Sequence, residues 1–124
     1  CKALADYVFL DCTSSLDDPL SVYGMAAADK AVQLVTPDIR SAAYYASFEK
    51  TYEQIKSKSI GVINITDKDL YLPVGEVKAG FSNAKYILPY SMYLKQQYIT
   101  GELTHKIPDQ KFSAVCRGIA GAVL

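Results

Sequence analysis

Short apolar segments that end on a polar residue alternate along this chain with segments of helical periodicity. The first apolar run covers residues 7–10 and is followed by Asp11, and further runs cover residues 31–36, 59–66 and 84–88. Runs of this length bounded by turn residues indicate strands, and strands that alternate with helices are typical of a mostly parallel sheet. The order of elements therefore predicts an α/β fold with a doubly wound sheet.

The segments between these runs have the composition and caps of helices. A short alanine-rich helix over residues 20–28 follows Asp18 and Pro19, and a second short helix is predicted between Ser91 and Gly101. A terminal helix is predicted to start at Pro108 and Asp109. The clearest pattern starts at residue 37, with Thr36 as the predicted cap, and repeats apolar side chains at spacings of three and four: Tyr45, Phe48, Tyr52 and Ile55. Residues 67–83 predict a loop with one short helix.

Composition limits the classes of function. The chain has 124 residues, half of them hydrophobic, which is the size of one domain with a core of its own. Thirteen basic residues balance thirteen acidic ones, so no net field favours nucleic acid or anionic lipid. The apolar runs are far shorter than the roughly 20 residues of a membrane span, and no secretory leader opens the chain. We expect a cytoplasmic protein, and the start at Cys1 suggests a piece of a longer one.

Cysteine usage favours neither a disulfide framework nor a zinc site. The chain has three cysteines, Cys1, Cys12 and Cys116, and no paired C-x-x-C spacing. Each is most simply a small apolar residue. His105 has no second metal-ligand type near it in sequence, so a capping or solvent-exposed role is expected for it.

Polar residues at strand ends are the candidate site. Asp11, Thr36 and Asn64 each come at or after the end of a predicted strand, and Pro89 follows the last one. In open α/β sheets, ligands bind in the crevice at the carboxyl ends of the strands. The sequence therefore predicts that these four strand ends line one crevice. Each polar residue also has a structural interpretation, Asp11 as a turn former and Asn64 as a strand-end or turn cap.

The order of these segments resembles the C-terminal half of the MinD/ParA-type ATPases, the deviant Walker A group of P-loop NTPases. Four stretches carry the resemblance: ADYVFLD at residues 5–11, AAADKAVQLVTPDIRS at residues 26–41, IN at residues 63–64, and ILPYS at residues 87–91 followed by leucine and the glycine of GEL. Together they extend over nearly the whole chain. The resemblance implies that residues 1–124 form a single α/β unit within a larger P-loop ATPase domain.

The resemblance also implies roles for particular residues. Asp11 would be the catalytic acid, acting on Mg²⁺ through water, and Thr13, Ser14 and Ser15 would form the switch that senses the terminal phosphate. The Asn64 amide would bind the adenine edge, since it can donate and accept hydrogen bonds at once. Pro89 and Tyr90 would close the other side of the base pocket. ATP and Mg²⁺ are the implied cofactors of the parent protein, and ATP-dependent dimerisation and cargo positioning are its implied functions.

Two departures from the family pattern qualify these roles. No G-x-x-x-x-G-K-[ST] motif occurs in the chain, so the phosphate-binding loop would lie before Cys1, and the fragment alone is predicted to be inactive. Without the strand that feeds this loop, two central strand edges would be unpaired, which predicts an unstable, swapped or associated fragment. Thr13 stands near where the family more often has proline, which puts ordinary switch behaviour in question.

Two other functions remain open from the sequence. The first is a non-catalytic localisation or assembly scaffold of the same fold, which the altered turn at Thr13 would allow. The second is a receiver-like signalling domain with Asp11 as phospho-acceptor and Thr36 as the strand-end hydroxyl, although the acidic pair that would precede the acceptor is missing. The tyrosines are predicted to pack in the core and at its rim rather than to stack on bases.

Overall fold

The structure, a computed structural model, describes residues 4–13, 15–69, 73–102 and 107–124. The helices in this part of the chain are α1 (Pro19–Ala27), α2 (Ile39–Ser47), α3 (Glu49–Ile55), α4 (Val74–Gly80), α5 (Met92–Thr100) and α6 (Gln110–Val123). The strands are β1 (Ala31–Val35), β2 (Ser59–Asn64) and β3 (Ala84–Leu88), and a 3-10 turn, Lys56–Lys58, leads into β2. His105 and Ser14 lie outside the described residues.

The three strands form one parallel sheet in the order β1-β2-β3. Val35 of β1 lies beside Ile63, and Asn64 lies beside Leu88 of β3. Parallel strands joined through helices confirm the α/β class and three of the predicted strands. β2 is central, and all its residues except Asn64 are buried.

One face of the sheet carries the main core. Ile63 of β2 is fully buried and clusters with Tyr45 of α2 and with Val77 and Phe81 from α4 and its end. The Tyr45 ring stacks on Tyr52 with centroids 4.8 Å apart and meets Phe81 edge-on at the same distance. Such aromatic pairs add to the free energy gained from burial alone. The core therefore holds α2, α3 and α4 on this face.

The opposite face is covered by α6, which packs mainly on β3 and whose end shares a groove with Val32 of β1. Successive side chains of a strand point to opposite faces, so the register places Leu34, Val62 and Tyr86 together on this side. The Tyr86 hydroxyl donates to the Gly118 carbonyl of α6 at 3.0 Å, and Val62 is fully buried. Leu34 of β1 remains 64% exposed. On this face, β1 at the edge of the sheet is therefore only partly covered.

The prediction of a buried strand over residues 7–10 is wrong. These residues pair with no strand, and every one of their side chains is exposed, Phe9 to 81%. A strand needs a neighbouring strand that bonds its backbone, and among the described residues Phe9 meets β1 only as a side chain that lines a groove with Val32 and the end of α6. Local sequence supplies the apolar side chains but not that neighbour.

The long helix predicted from residue 37 is two helices. Phe48 separates α2 from α3 with a non-helical backbone (φ −113°, ψ 18°). The cap of α2 is also different from the prediction, because Asp38 rather than Thr36 accepts the Ser41 backbone N–H. The short helix predicted within residues 67–83 is α4, and Gly101 ends α5 in the left-handed region (φ 70°), as its sequence position predicts.

Candidate functional site

Three of the predicted strand ends meet at one edge of the sheet. Thr36 follows the end of β1, Asn64 ends β2, and Pro89 follows β3. The Ile65 backbone N–H donates to the Leu88 carbonyl at 2.9 Å, which continues the β2–β3 pairing one step past Asn64. Because all three strands run in the same direction, their carboxyl ends lie side by side. The structure thus places three of the four predicted residues along one edge.

Asn64 is the polar side chain at the middle of this edge. It is half-buried, and within the described part of the chain its side-chain amide has no hydrogen-bond partner. Its strand neighbour Leu88 leads directly into Pro89 and Tyr90, which are also half-buried. An amide in this position can donate and accept hydrogen bonds toward a planar heterocycle. Asn64 is therefore a polar side chain at this edge with unused hydrogen-bonding groups among the described residues.

Thr36 belongs instead to the start of α2. Its hydroxyl donates to the Asp38 carboxylate and lies 2.5 Å from the Ser41 hydroxyl oxygen, and the Ser41 backbone N–H donates to Asp38 at 2.9 Å. The Thr36 hydrogen bond, followed by that from the Ser41 backbone, lowers the pKa of Asp38 below its usual value. These contacts fix the entry into α2, so the Thr36 hydroxyl has a structural role.

Asp11 is not part of the sheet edge as predicted. It is exposed and follows the unpaired residues 7–10 rather than a strand. In the described residues, no group of three or more His, Cys, Asp or Glu side chains forms a metal-binding cluster. Asp11 could therefore contact a metal ion only through water or together with ligands that come from outside these residues.

The predicted switch residues lie in a turn that is tied to α1. The Thr13 backbone N–H donates to the Ser21 hydroxyl at 3.0 Å, and the Thr13 and Ser21 hydroxyl oxygens are also 3.0 Å apart. Ser21 is 2% exposed and donates to the Asp18 carboxylate at 2.8 Å. The Asp17 backbone N–H donates to the Ser15 hydroxyl oxygen at 3.3 Å.

Asp18 is the cap that organises this turn. It accepts hydrogen bonds from the backbone N–H groups of Leu20 and Ser21 at the start of α1. The Ser21 side-chain hydrogen bond is the largest cause that lowers the pKa of Asp18 below its ordinary value. The sequence predicted the cap but not the participation of Ser21. A serine three residues after an N-cap aspartate was the available signal.

The turn also contacts α2 through Tyr44, which sequence reasoning did not select. The Leu16 backbone N–H donates to the Tyr44 hydroxyl at 2.9 Å. Because α2 begins at the carboxyl end of β1, this bond connects the turn after Asp11 to the helix that starts at the candidate edge. No pattern within the sequence pairs a backbone amide with a tyrosine 28 residues away.

Comparison of the chain with protein-family models, curated proteins and solved structures finds no match. The fold and the site therefore define an α/β chain with a small parallel sheet flanked by helices, and a half-buried amide at the carboxyl edge of that sheet. None of the helices in the described part of the chain has the length and apolar character needed to cross a membrane.

Proposed function

We propose that this chain is the C-terminal part of a MinD/ParA-type ATPase, a doubly wound P-loop NTPase fold, and that it supplies the adenine-binding side of an ATP site in the parent protein. The observation that carries the proposal is the position of Asn64 beside Leu88 and the Pro89–Tyr90 turn at the carboxyl edge of a parallel sheet. Ligands of open α/β folds bind at this edge.

The proposed roles follow the strand ends. The Asn64 amide binds the adenine edge, and the Pro89–Tyr90 backbone closes the base pocket. Asp11 serves as the acid of the second switch and acts on Mg²⁺ through water, while residues 13–15 follow it as the switch segment. The phosphates are bound by a Walker loop from a preceding part of the parent, since this chain has none. In the cell, the parent uses ATP to position or partition cargo.

A non-catalytic scaffold of the same fold is the second candidate, and one observation favours it. Both the backbone N–H and the hydroxyl of Thr13 are engaged by Ser21 and Asp18. A switch residue must exchange its contacts when the terminal phosphate is present. A turn held by this network favours a fixed conformation and slow or absent hydrolysis. A receiver function is not proposed, because it requires Asp11 at the tip of a paired strand.

The base pocket can be tested on this chain without the phosphate loop. We expect adenosine at millimolar concentration to shift the NMR amide signals of Asn64, Ile65 and Tyr90, with a Kd of roughly 1 mM or weaker because only the base is bound. The variant Asn64→Ala should abolish these shifts. The matched control is Gln54→Ala, which removes an exposed side-chain amide from α3.

Three outcomes contradict the proposal. These are no shifts at the sheet edge, equal shifts with guanosine, or shifts that Asn64→Ala leaves unchanged. Tight binding of Mg²⁺-ATP by residues 1–124 alone would also contradict it, because the phosphates would then have a site within this chain. Hydrolysis by the parent protein separates the enzyme from the scaffold.

A further inference from the structure

Ser91 is a buried residue whose hydroxyl group is unused. It is 5% exposed, and within the described part of the chain its Oγ has no hydrogen-bond partner. A buried hydroxyl without a partner costs free energy, so its presence in a folded chain needs an explanation. A bound molecule that supplies the missing partner is one such explanation.

Ser91 is the N-cap residue of α5, yet its side chain does not cap the helix. The Lys95 backbone N–H donates to the Ser91 carbonyl at 3.2 Å, which fixes the Ser91 backbone at the helix start. At the starts of α1, α2 and α6, an aspartate accepts backbone N–H groups of the first turn. The Ser91 side chain accepts none of those of α5. These N–H groups, which have no acceptors within the helix, are therefore left without this cap.

The Ser91 hydroxyl and the first-turn N–H groups stand next to each other. An N-cap side chain is placed beside these groups, because it normally bonds the second or third of them. α5 has nine residues and no acidic side chain in its first turn. The helix start thus combines donors with a hydroxyl that can donate or accept, and this favours a ligand oxygen. We call Ser91 and the N–H groups of residues 92–94 the α5 corner.

The α5 corner lies at the same end of the sheet as Asn64. Leu88 is the strand partner of Asn64, and only Pro89 and Tyr90 separate Leu88 from Ser91. Three residues span at most about 11 Å even when they are fully extended. Pro89 and Tyr90 are also the residues proposed to close the base pocket. The α5 corner therefore borders the proposed adenine site.

The ribose is the part of a nucleotide that suits the α5 corner. It is joined directly to the base, and its 2′ and 3′ hydroxyls can each donate and accept hydrogen bonds. The phosphates are assigned to a Walker loop of the parent protein. We propose that the Ser91 hydroxyl binds the ribose hydroxyls, so that the site selects ribonucleosides. This role of Ser91 rests on the proposed adenine site and adds sugar specificity to it.

The first test removes the hydroxyls from the ligand. Adenosine and 2′,3′-dideoxyadenosine carry the same base, and NMR titration of the Asn64 and Tyr90 amide signals gives a Kd for each. We expect dideoxyadenosine to bind the 124-residue chain about fivefold more weakly, as the loss of roughly one net hydrogen bond predicts. The amide signals of Met92 and Tyr93 should shift with adenosine and much less with dideoxyadenosine.

The second test removes the hydroxyl from the protein. In Ser91→Ala, the ratio of the two Kd values should fall below about two. The matched control is Ser47→Ala, since Ser47 is exposed at the end of α2 and its hydroxyl donates to the Ala43 carbonyl. This control should keep the fivefold ratio. Because the Ser91 hydroxyl bonds nothing in the described chain, Ser91→Ala should not lower the urea midpoint of unfolding, whereas loss of a capping serine would.

The contrary outcomes separate this role from the adenine site itself. Equal Kd values for the two nucleosides in the unsubstituted chain overturn the role of Ser91 and leave the adenine site standing. A fivefold ratio that persists in Ser91→Ala assigns the ribose contacts to other groups and also overturns it. A lower urea midpoint in Ser91→Ala gives the hydroxyl a structural role instead. If neither nucleoside shifts the signals at the sheet edge, the adenine site fails and the role of Ser91 fails with it.

Discussion

The Leu16 backbone N–H donates a 2.9 Å hydrogen bond to the Tyr44 hydroxyl and so joins the turn after Asp11 to the middle of α2. Thr13 and Asp18 tie the same turn to α1 through Ser21. The turn is therefore held from two sides, by the start of one helix and by a side chain of another. If the turn acts as a switch in the parent protein, the Tyr44 bond is one of the contacts that must break.

Removing the Tyr44 hydroxyl should loosen this turn without unfolding the chain. Tyr44→Phe keeps the ring that packs on Phe48 with a centroid distance of 4.7 Å, but it removes the acceptor. We expect a loss of about 1 kcal/mol, the ordinary net value of one hydrogen bond, and about fivefold faster exchange of the Leu16 amide. Tyr98→Phe is the control, because Tyr98 is 90% exposed. Unchanged exchange at Leu16 would show that the bond does not hold the turn.

Gly61 should tolerate no side chain, since a neighbouring backbone lies too close. A Cβ at this position would be 2.6 Å from the Asn83 carbonyl oxygen and 2.9 Å from the Ala84 Cα. The Gly61 backbone N–H donates to that same oxygen at 2.9 Å, so the two segments cannot separate without losing this bond. Gly61→Ala should lower the free energy of unfolding by about 1–3 kcal/mol, as overpacking does. Urea denaturation measures this change.

Gly121 provides the matched control for Gly61. It lies within α6, and a Cβ there would meet nothing within 4 Å. Gly121→Ala should raise the free energy of unfolding by about 0.5–1 kcal/mol, because alanine loses less conformational freedom in a helix. If both variants had the same effect, close backbone approach would not explain the glycine at position 61.

The elements that sequence reasoning predicted well are those with local causes. The three strands of the sheet, the Asp18 cap and the Gly101 stop depend on apolar patterning or on one residue's conformational preference. Residues 7–10 have the same apolar composition, yet they form no strand because pairing depends on a neighbour and not on the run itself. The carboxyl-edge position of Asn64 followed from strand direction alone.

The features that could not be predicted depend on tertiary contacts. The break at Phe48 lies within an apolar pattern that is continuous in sequence, and the stacking of Tyr45 on Tyr52 spans that break. Asn83 donates to the Ser59 carbonyl at 3.0 Å and to its hydroxyl at 2.6 Å, although 24 residues separate them. Thr36 was the predicted cap of α2, but the Ser41 backbone N–H donates to Asp38 instead.

Lys58 should stabilise the end of α1 through its charge. Its ammonium group donates to the Ala26 carbonyl at 2.7 Å and to the Ala28 carbonyl at 2.8 Å, at the end of the helix where carbonyls lack intrahelical partners. Lys58→Met keeps most of the aliphatic chain and should lower the free energy of unfolding by about 1 kcal/mol. This is less than the roughly 1.5–3 kcal/mol that a hydrogen bond to a charged group can contribute, because the site is partly solvated. Lys111→Met, at an exposed position of α6, should change the free energy of unfolding little. Equal effects would refute the capping role.

Acid should weaken the start of α2 through Asp38. Hydrogen bonds from Thr36 first, and from the Ser41 backbone next, lower the pKa of this carboxyl below its ordinary value. A carboxyl whose folded-state pKa is lowered binds fewer protons in the folded than in the unfolded chain. Its contribution to stability is therefore complete above the unfolded pKa and is lost as the pH falls through the folded one.

Two variants isolate this contribution in urea denaturation at neutral pH and near pH 3, below the unfolded pKa of about 3.9. Asp38→Asn removes the titrating group, so the unfolding free energy should fall less with acidification than in the unsubstituted chain. Thr36→Val removes the hydrogen bond that lowers the pKa most, so the pKa of Asp38, followed by NMR, should rise toward its ordinary value. A pKa that does not move in Thr36→Val would mean that the Thr36 hydroxyl does not stabilise the carboxylate. In that case the serine and backbone donors of α2 alone would account for the capping.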